Sequence, residues 1–253
     1  MNSKQVIKKR NLILIGFVLV TAIFITAITL VFIRVTDYNL MTLINIILVF
    51  VLSVISLAFR NTLYSYNNMV RIANLVLKQA KPVNYTQNIV FDQSLISPKE
   101  YTVFTKNDNY VIYYKHELDE TIRVKKIWRL YIIMILKKPQ LDFYDKTLHD
   151  EIAKLEVSFP KKELPTKYII LGFKEFDQVS DQVVKDLSEV VSYTQNRQTY
   201  TQVNVGLVKS LQKAYFLYSD IYYPTRYYQI AVDLIFDLIG TKRTKVEHQK
   251  NKK

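Results

Sequence analysis

Two uninterrupted apolar runs, Leu12 to Ile33 and Leu40 to Phe59, constrain this chain more than anything that follows them. They hold 22 and 20 residues, carry no charged side chain, and are separated only by Arg34 to Asn39. At about 1.5 Å per helical residue they reach roughly 33 and 30 Å, which matches the hydrocarbon thickness of a bilayer. The spacing predicts a two-pass transmembrane helical hairpin over residues 1–60 (spans about 12–33 and 40–59) that carries the rest of the chain.

The charges around the runs set the expected orientation. Lys4, Lys8, Lys9 and Arg10 precede the first run, and Arg60, Arg71, Lys78 and Lys81 follow the second, whereas the short loop offers only Arg34 against Asp37. Basic flanks on both sides of a neutral loop place both termini in the cytoplasm of a cell membrane. A signal peptide would show a shorter apolar core, about 7–15 residues, and a small-residue cleavage site. The first run instead ends Phe32-Ile33-Arg34-Val35-Thr36-Asp37, so retention is expected.

Net charge sharpens the choice of partner. The chain carries +13, of which +5 lies in residues 1–60 and +5 in the tail from Thr241. The remaining body is only mildly basic, so the lipid bilayer is the expected anionic partner and no nucleic acid is expected. Scarce Gly with abundant Lys, Asn, Ile and Tyr suits an AT-rich bacterial genome, which lowers the weight of 19 tyrosines as a sign of recognition. There is no cysteine, which removes disulfides, thiolate metal sites and thiol nucleophiles.

Inside the spans, Thr42, Asn45, Ser53 and Ser56 share an arc of about 80° on the second helix, and Ala22, Thr26 and Thr29 one of about 60° on the first. These faces are expected to meet within the hairpin, with Asn45 able to hydrogen-bond across; a homo-oligomer or a membrane-protein partner is the alternative use. With no charged residue in either span, a transport path within the chain is not expected.

Beyond the hairpin, residues 61–82 read as a helical connector ended by Pro82, residues 83–240 as a cytoplasmic α+β domain, and 241–253 as a basic disordered tail. Val83 to Pro98 shows no period and reads as a linker or irregular edge. Tyr101–Thr105 and Tyr110–Lys115 flank Lys106-Asn107-Asp108-Asn109 and predict a β-hairpin. Ile122–Lys138 is ambiguous between a buried strand, a helix and an interfacial segment, because seven apolar residues from Leu130 fit each. A helix capped by Asp145, a strand Tyr168–Phe173, a helix from about Gln178 to Gln195, strands Val203–Val208 and Ala214–Tyr218, and a helix Thr225–Ile239 closed by Gly240 complete a mixed sheet with packed helices.

Chemistry is harder to find. Glycines at 16, 172, 206 and 240 cannot assemble a phosphate-cradling loop; Gly172 and Gly206 mark a bulge or close packing in strands. The candidate catalytic set is Asp142, Asp145 and His149, with Asp150 and Glu151 nearby, since residues four apart on a helix can share a divalent ion. Its bland counterpart is a helix cap with first-turn acids. Glu117, Asp119 and Glu120 read as turn-initiating acids. Tyr215, Tyr218, Tyr222, Tyr223, Tyr227 and Tyr228 around Arg226 read as core and interface rather than a recognition patch. No cofactor or metal is expected. The sequence therefore reads as a membrane-tethered interaction or scaffolding module, with a membrane-anchored metal-dependent hydrolase or nuclease, and an accessory subunit of a membrane transporter, as the alternatives.

Overall fold

In the computed structural model, residues 3–119, 127–138, 140–195 and 198–243 are described. The chain divides into two compact units, Met1–Leu77 and Lys78–Lys253.

The first unit is two α-helices, α1 (Ser3–Arg34) and α2 (Tyr38–Leu77). Asp37 starts α2: its Oδ1 accepts from the backbone N–H of Asn39 (2.8 Å) and of Leu40 (3.1 Å), two donors that a helix start leaves unpaired. The rings of Phe17 and Phe59 lie 5.3 Å apart, so α2 runs back along α1. Both helices contain an 18-residue window of mean hydropathy 2.7, and none of either window is buried within the protein. By length and composition both are able to cross a membrane. The predicted connector is part of α2, which continues without a break to Leu77. The hydroxyls of Thr26, Thr29, Thr42 and Ser53 donate to carbonyls four residues back on their own helices. The expected cross-helix bond from Asn45 is not made: its Oδ1 is buried with no hydrogen-bond partner among the described residues.

The second unit is built on an eight-stranded mixed sheet, and with α1 and α2 the described residues form five α-helices, a mixed α+β protein. The strands are β1 (Val83–Asn84), β2 (Thr102–Lys106), β3 (Tyr110–Leu118), β4 (Trp128–Leu136), β5 (Lys167–Phe176), β6 (Val190–Gln195), β7 (Gln198–Val208) and β8 (Lys213–Tyr215). Their order is β1-β8-β7-β5-β4-β3-β2, with β6 also paired to β7. The ambiguous run Leu130–Leu136 is strand β4. Its neighbours are β3, antiparallel, and β5, parallel. It is apolar throughout because both faces of a central strand are covered, which is why no period of two was visible. Residues 120–126, including Glu120, lie outside the described set.

Strands β4, β5 and β7 are mutually parallel, so each step between them needs a crossover. The first carries α3 (Lys146–Val157) and the second α4 (Asp181–Leu187) followed by β6. On the α3 side, Ile112, Leu130, Ile132, Met134, Leu148 and Leu155 form one buried cluster. The other face is packed by α5 (Arg226–Leu238), which lies against β5 and β7 and buries Tyr228, Val232, Ile235 and Phe236. Thr225 caps α5, its Oγ1 accepting from Tyr228 N, and Gly240 follows it at φ +69°, a left-handed conformation that suits a residue without Cβ.

One predicted helix differs. The helix expected over Gln178–Gln195 stops at Leu187, and Val190–Gln195 pairs antiparallel with β7. Val183, Val184, Leu187, Val190 and Val191 fit helical spacing, yet Val-Val-Ser-Tyr-Thr suits a pleated strand and gains a partner there. The stretch read as a linker or irregular edge contributes β1, at the edge of the sheet beside β8, and a 3-10 helix over Gln93–Lys99 capped by Asp92. Of the predicted tail, residues 241–243 are described. Arg243 donates to Asp233 Oδ1 (2.7 Å) and the Ser219 carbonyl (2.9 Å), and Thr241 Oγ1 donates to the Asn84 carbonyl (2.5 Å).

Gly172 and Gly206 mark close packing, since both sit in unbroken register. A Cβ on Gly172 would lie 2.6 Å from the Phe143 ring, and one on Gly206 would lie 2.5 Å from Leu187 Cδ1.

Candidate functional site

Register across three strands builds one row of aromatic side chains. Tyr168 on β5 is aligned with Tyr200 on β7, and Tyr200 is aligned with Tyr193 on β6. The rings stack in sequence, with centroids 4.3 Å apart at 11° and then 5.0 Å apart at 17°. Burial falls along the row: Tyr168 is buried, Tyr200 half-buried, and Tyr193 is 43% exposed.

Helix α3 faces this row. His149, Ile152, Ala153 and Glu156 follow the spacing i, i+3, i+4, i+7 and so lie on one side of the helix. Between them and the β6–β7 hairpin is a cavity of about 220 Å³, floored by Ile170, Tyr200 and Gln202 and closed at one end by Tyr144. Sequence periodicity could place the α3 residues on a stripe, but only strand register reveals what stands opposite.

Glu156 is the acid of this cleft. Tyr200 Oη lies 3.3 Å from Glu156 Oε1 and 3.0 Å from Gln198 Oε1, so its single hydrogen serves either acceptor. Gln198 Nε2 donates to Tyr168 Oη (3.1 Å), and Tyr168 Oη donates to the Pro165 carbonyl (3.0 Å). Burial raises the Glu156 carboxyl above its ordinary value, and the hydrogen bond from Tyr200 offsets part of that; among the described residues no cation is paired with it. Burial and the neighbouring carboxylate push the Tyr200 phenol up to about 12, so it stays a neutral donor at pH 7.

Behind the cleft lies a closed amide relay. Gln202 Nε2 donates to Asn204 Oδ1 (3.1 Å), and Asn204 Nδ2 donates to Tyr144 Oη (3.1 Å), which reaches the Glu189 carbonyl at 3.4 Å. Both amides are buried. Their mutual pairing removes the penalty of isolated polar groups and fixes the position of Tyr144. Lys174, also buried, donates to the Leu141 carbonyl (2.9 Å); burial pushes its ammonium pKa down, while Asp142 and Asp186 pull it up.

Of the candidate catalytic set, only His149 lines the cleft. Asp142 Oδ1 accepts from Tyr144 N (3.0 Å), and Asp145 caps α3 by accepting from Thr147 N (2.8 Å) and Thr147 Oγ1 (2.6 Å). Glu151 bonds Thr105 Oγ1 (2.7 Å) and Lys154 Nζ (2.6 Å). Among the described residues no three His, Cys, Asp or Glu side chains converge as a metal site.

The acids at the end of β3 are held by ion pairs. Glu117 belongs to β3 and pairs with Arg129 (3.1 Å), while Asp119, fully buried, lies 3.8 Å from both Arg129 and Arg226. These two acids hold an ion-pair cluster. Beside them is a wider cavity, about 420 Å³, on the α5 face, but its charges are matched: Lys99 with Asp237, and Lys115 with Glu100 and Glu117. Within the Tyr215–Tyr228 cluster, Tyr218 and Tyr228 are core residues.

Comparison with protein-family models, with curated proteins and with solved structures finds no match.

Proposed function

We propose that the protein is a membrane-tethered interaction module. In this reading α1 and α2 cross the bilayer as a hairpin with both termini in the cytoplasm, and the mixed-sheet domain works there through the α3–hairpin cleft. The tether rests on two apolar windows of which nothing is buried by the protein itself; a soluble core helix would be covered. The orientation rests on the basic flanks.

The single observation that carries the interaction reading is the cleft's lining. Tyrosines of graded exposure stand over buried, mutually satisfied amides, a concave and mainly apolar surface with a few fixed polar groups. A metal-dependent hydrolase built on Asp142, Asp145 and His149 draws less support, because both aspartates are engaged in capping bonds to their own segment.

Affinity purification of the full chain from native membranes in mild detergent tests the reading, alongside Tyr193→Ala. A partner recovered with the wild type and lost with the variant is the expected result. Recovery of the same material with both, or of lipid alone, counts against it. A polytopic partner at fixed stoichiometry that is indifferent to Tyr193 favours a transporter accessory subunit.

A further inference from the structure

We infer that two copies of this chain associate in the bilayer through one flank of α2, with the carboxamides of their two Asn45 residues hydrogen-bonded to each other. The inference rests on reading α1 and α2 as a membrane hairpin, and it gives the hairpin a role besides anchoring the domain.

Helical geometry turns this flank away from α1. Phe59, whose ring packs beside that of Phe17, marks the side of α2 that α1 covers. At about 100° per residue, Asn45 lies about 40° from that side, Val49 about 80° and Ser53 about 120°. Asn45 is accordingly half-buried, whereas Val49 is 51% exposed and Ser53 is also exposed. With Phe32 of α1 beside them, Thr42, Asn45, Val49 and Ser53 line a groove of about 580 Å³.

One group in the groove lacks a partner. The hydroxyls of Thr42 and Ser53 donate to carbonyls of their own helix, at 2.8 Å in both cases. The Asn45 carboxamide has no such recourse, and its Oδ1 is buried without a hydrogen-bond partner among the described residues. Asn45 stands five residues inside the run that begins at Leu40, about 7 to 8 Å along the helix, where lipid tails offer no hydrogen bond. An amide left unpaired in such a medium is strongly disfavoured. A half-turn of the amide exchanges Oδ1 and Nδ2 in nearly the same volume, so acceptor as well as donor can face the groove.

A second copy is the occupant that satisfies this amide. An acyl chain fills an apolar groove but makes no hydrogen bond. A carboxamide carries both a donor and an acceptor, so two of them related by a two-fold axis close two bonds. All copies insert in one orientation, which brings Asn45 to the same depth in each. A different protein would need a polar residue matched to that depth. Thr42, Val49 and Ser53 are short side chains, and short side chains let helix backbones approach within reach of such a bond.

The chain has no cysteine, so a single introduced thiol reports without background. Val49→Cys lies in the groove, and Ile47→Cys, about 160° around α2 at a residue 53% exposed, is its matched control. Each full chain is reconstituted in phosphatidylglycerol vesicles over a range of protein-to-lipid ratios and oxidised with copper phenanthroline. Disulfide-linked dimer is expected from Val49→Cys at least about fivefold above Ile47→Cys. Adding Asn45→Val to Val49→Cys should raise the protein density needed for half-maximal dimer by about tenfold. Equal yields from the two positions, no dimer from either, or a Val49→Cys curve unmoved by Asn45→Val would overturn the inference. The Val49→Cys chain carrying a benzophenone maleimide, irradiated in native membranes, should give an adduct of twice the chain's 29.9 kDa. Adducts of other masses alone would assign the groove to a different protein and overturn the second copy. Alkaline carbonate extraction of the same vesicles separates two failures. A chain that stays in the membrane without cross-linking overturns this inference alone, and a chain that is released overturns the tether with it.

Discussion

The phenol oxygen of Tyr200 stands 3.3 Å from Glu156 Oε1, tying the middle of the tyrosine row to the last turn of α3. This contact crosses 44 residues of sequence and joins the two walls of the cleft.

Folding raises the Glu156 carboxyl above its ordinary value, so the folded state holds that proton more tightly than the unfolded chain. The associated stability is fully present below the unfolded value and is lost as pH rises through the higher folded one. Replacing Glu156 with Gln removes this loss. The expected outcome is a higher thermal midpoint for Glu156→Gln than for wild type at pH 7, shrinking towards none near pH 4. A gap of the same size at both pH values would refute the assignment.

Asp119 is the acid whose removal should be felt most. Its side chain is fully buried between Arg129 and Arg226, and Arg129 itself is 12% exposed. Asp119→Ala removes the buried carboxylate between Arg129 and Arg226 and leaves Arg129 to Glu117 alone, a loss of about 3 kcal/mol in the urea unfolding of the protein. Asp237→Ala, on a carboxylate 66% exposed, should change stability by less than about 0.5 kcal/mol.

Gly172→Ala should destabilise by about 1–3 kcal/mol, because the new methyl falls 2.6 Å from the Phe143 ring, and Phe143 begins the segment that positions Tyr144. Gly16→Ala has nothing within 4 Å and is the matched control. Equal thermal midpoints for the two variants would show that the Phe143 segment yields freely.

The tether makes its own forecast. Protease applied outside intact cells should leave everything from Arg60 onward intact, and the same protease should digest it in inverted vesicles. Cleavage in intact cells would invert the topology, and release of the chain by alkaline carbonate would remove the tether altogether.

Much of the architecture was legible wherever local chemistry decides it. Asp145 and Thr225 begin helices because their side chains satisfy helix-start donors, and Gly240 ends one because it tolerates positive φ. Strand β4 was not separable from a helix, since a strand buried on both faces loses its alternation. Helix α4 was read too long because five aliphatic residues keep helical spacing straight into β6. The cleft was legible only in part. His149 was singled out for its distance from Asp145, yet it contributes as a wall residue. Glu156 looked like any surface acid of an amphipathic helix, and the alignment of Tyr168, Tyr200 and Tyr193 depends on pairings between strands distant in sequence.

The outer edge of β7 is divided: β6 pairs with Gln198–Val203, and β8 pairs with Gly206–Val208. The path from β1 through β8, β7, β5, β4 and β3 to β2 is complete without β6. Detaching β6 would therefore break one ladder and remove Tyr193 from the cleft while every other strand kept its neighbours. The wall that carries the exposed tyrosine is thus expected to open by itself, and faster amide exchange along β6 than along β7 would show it.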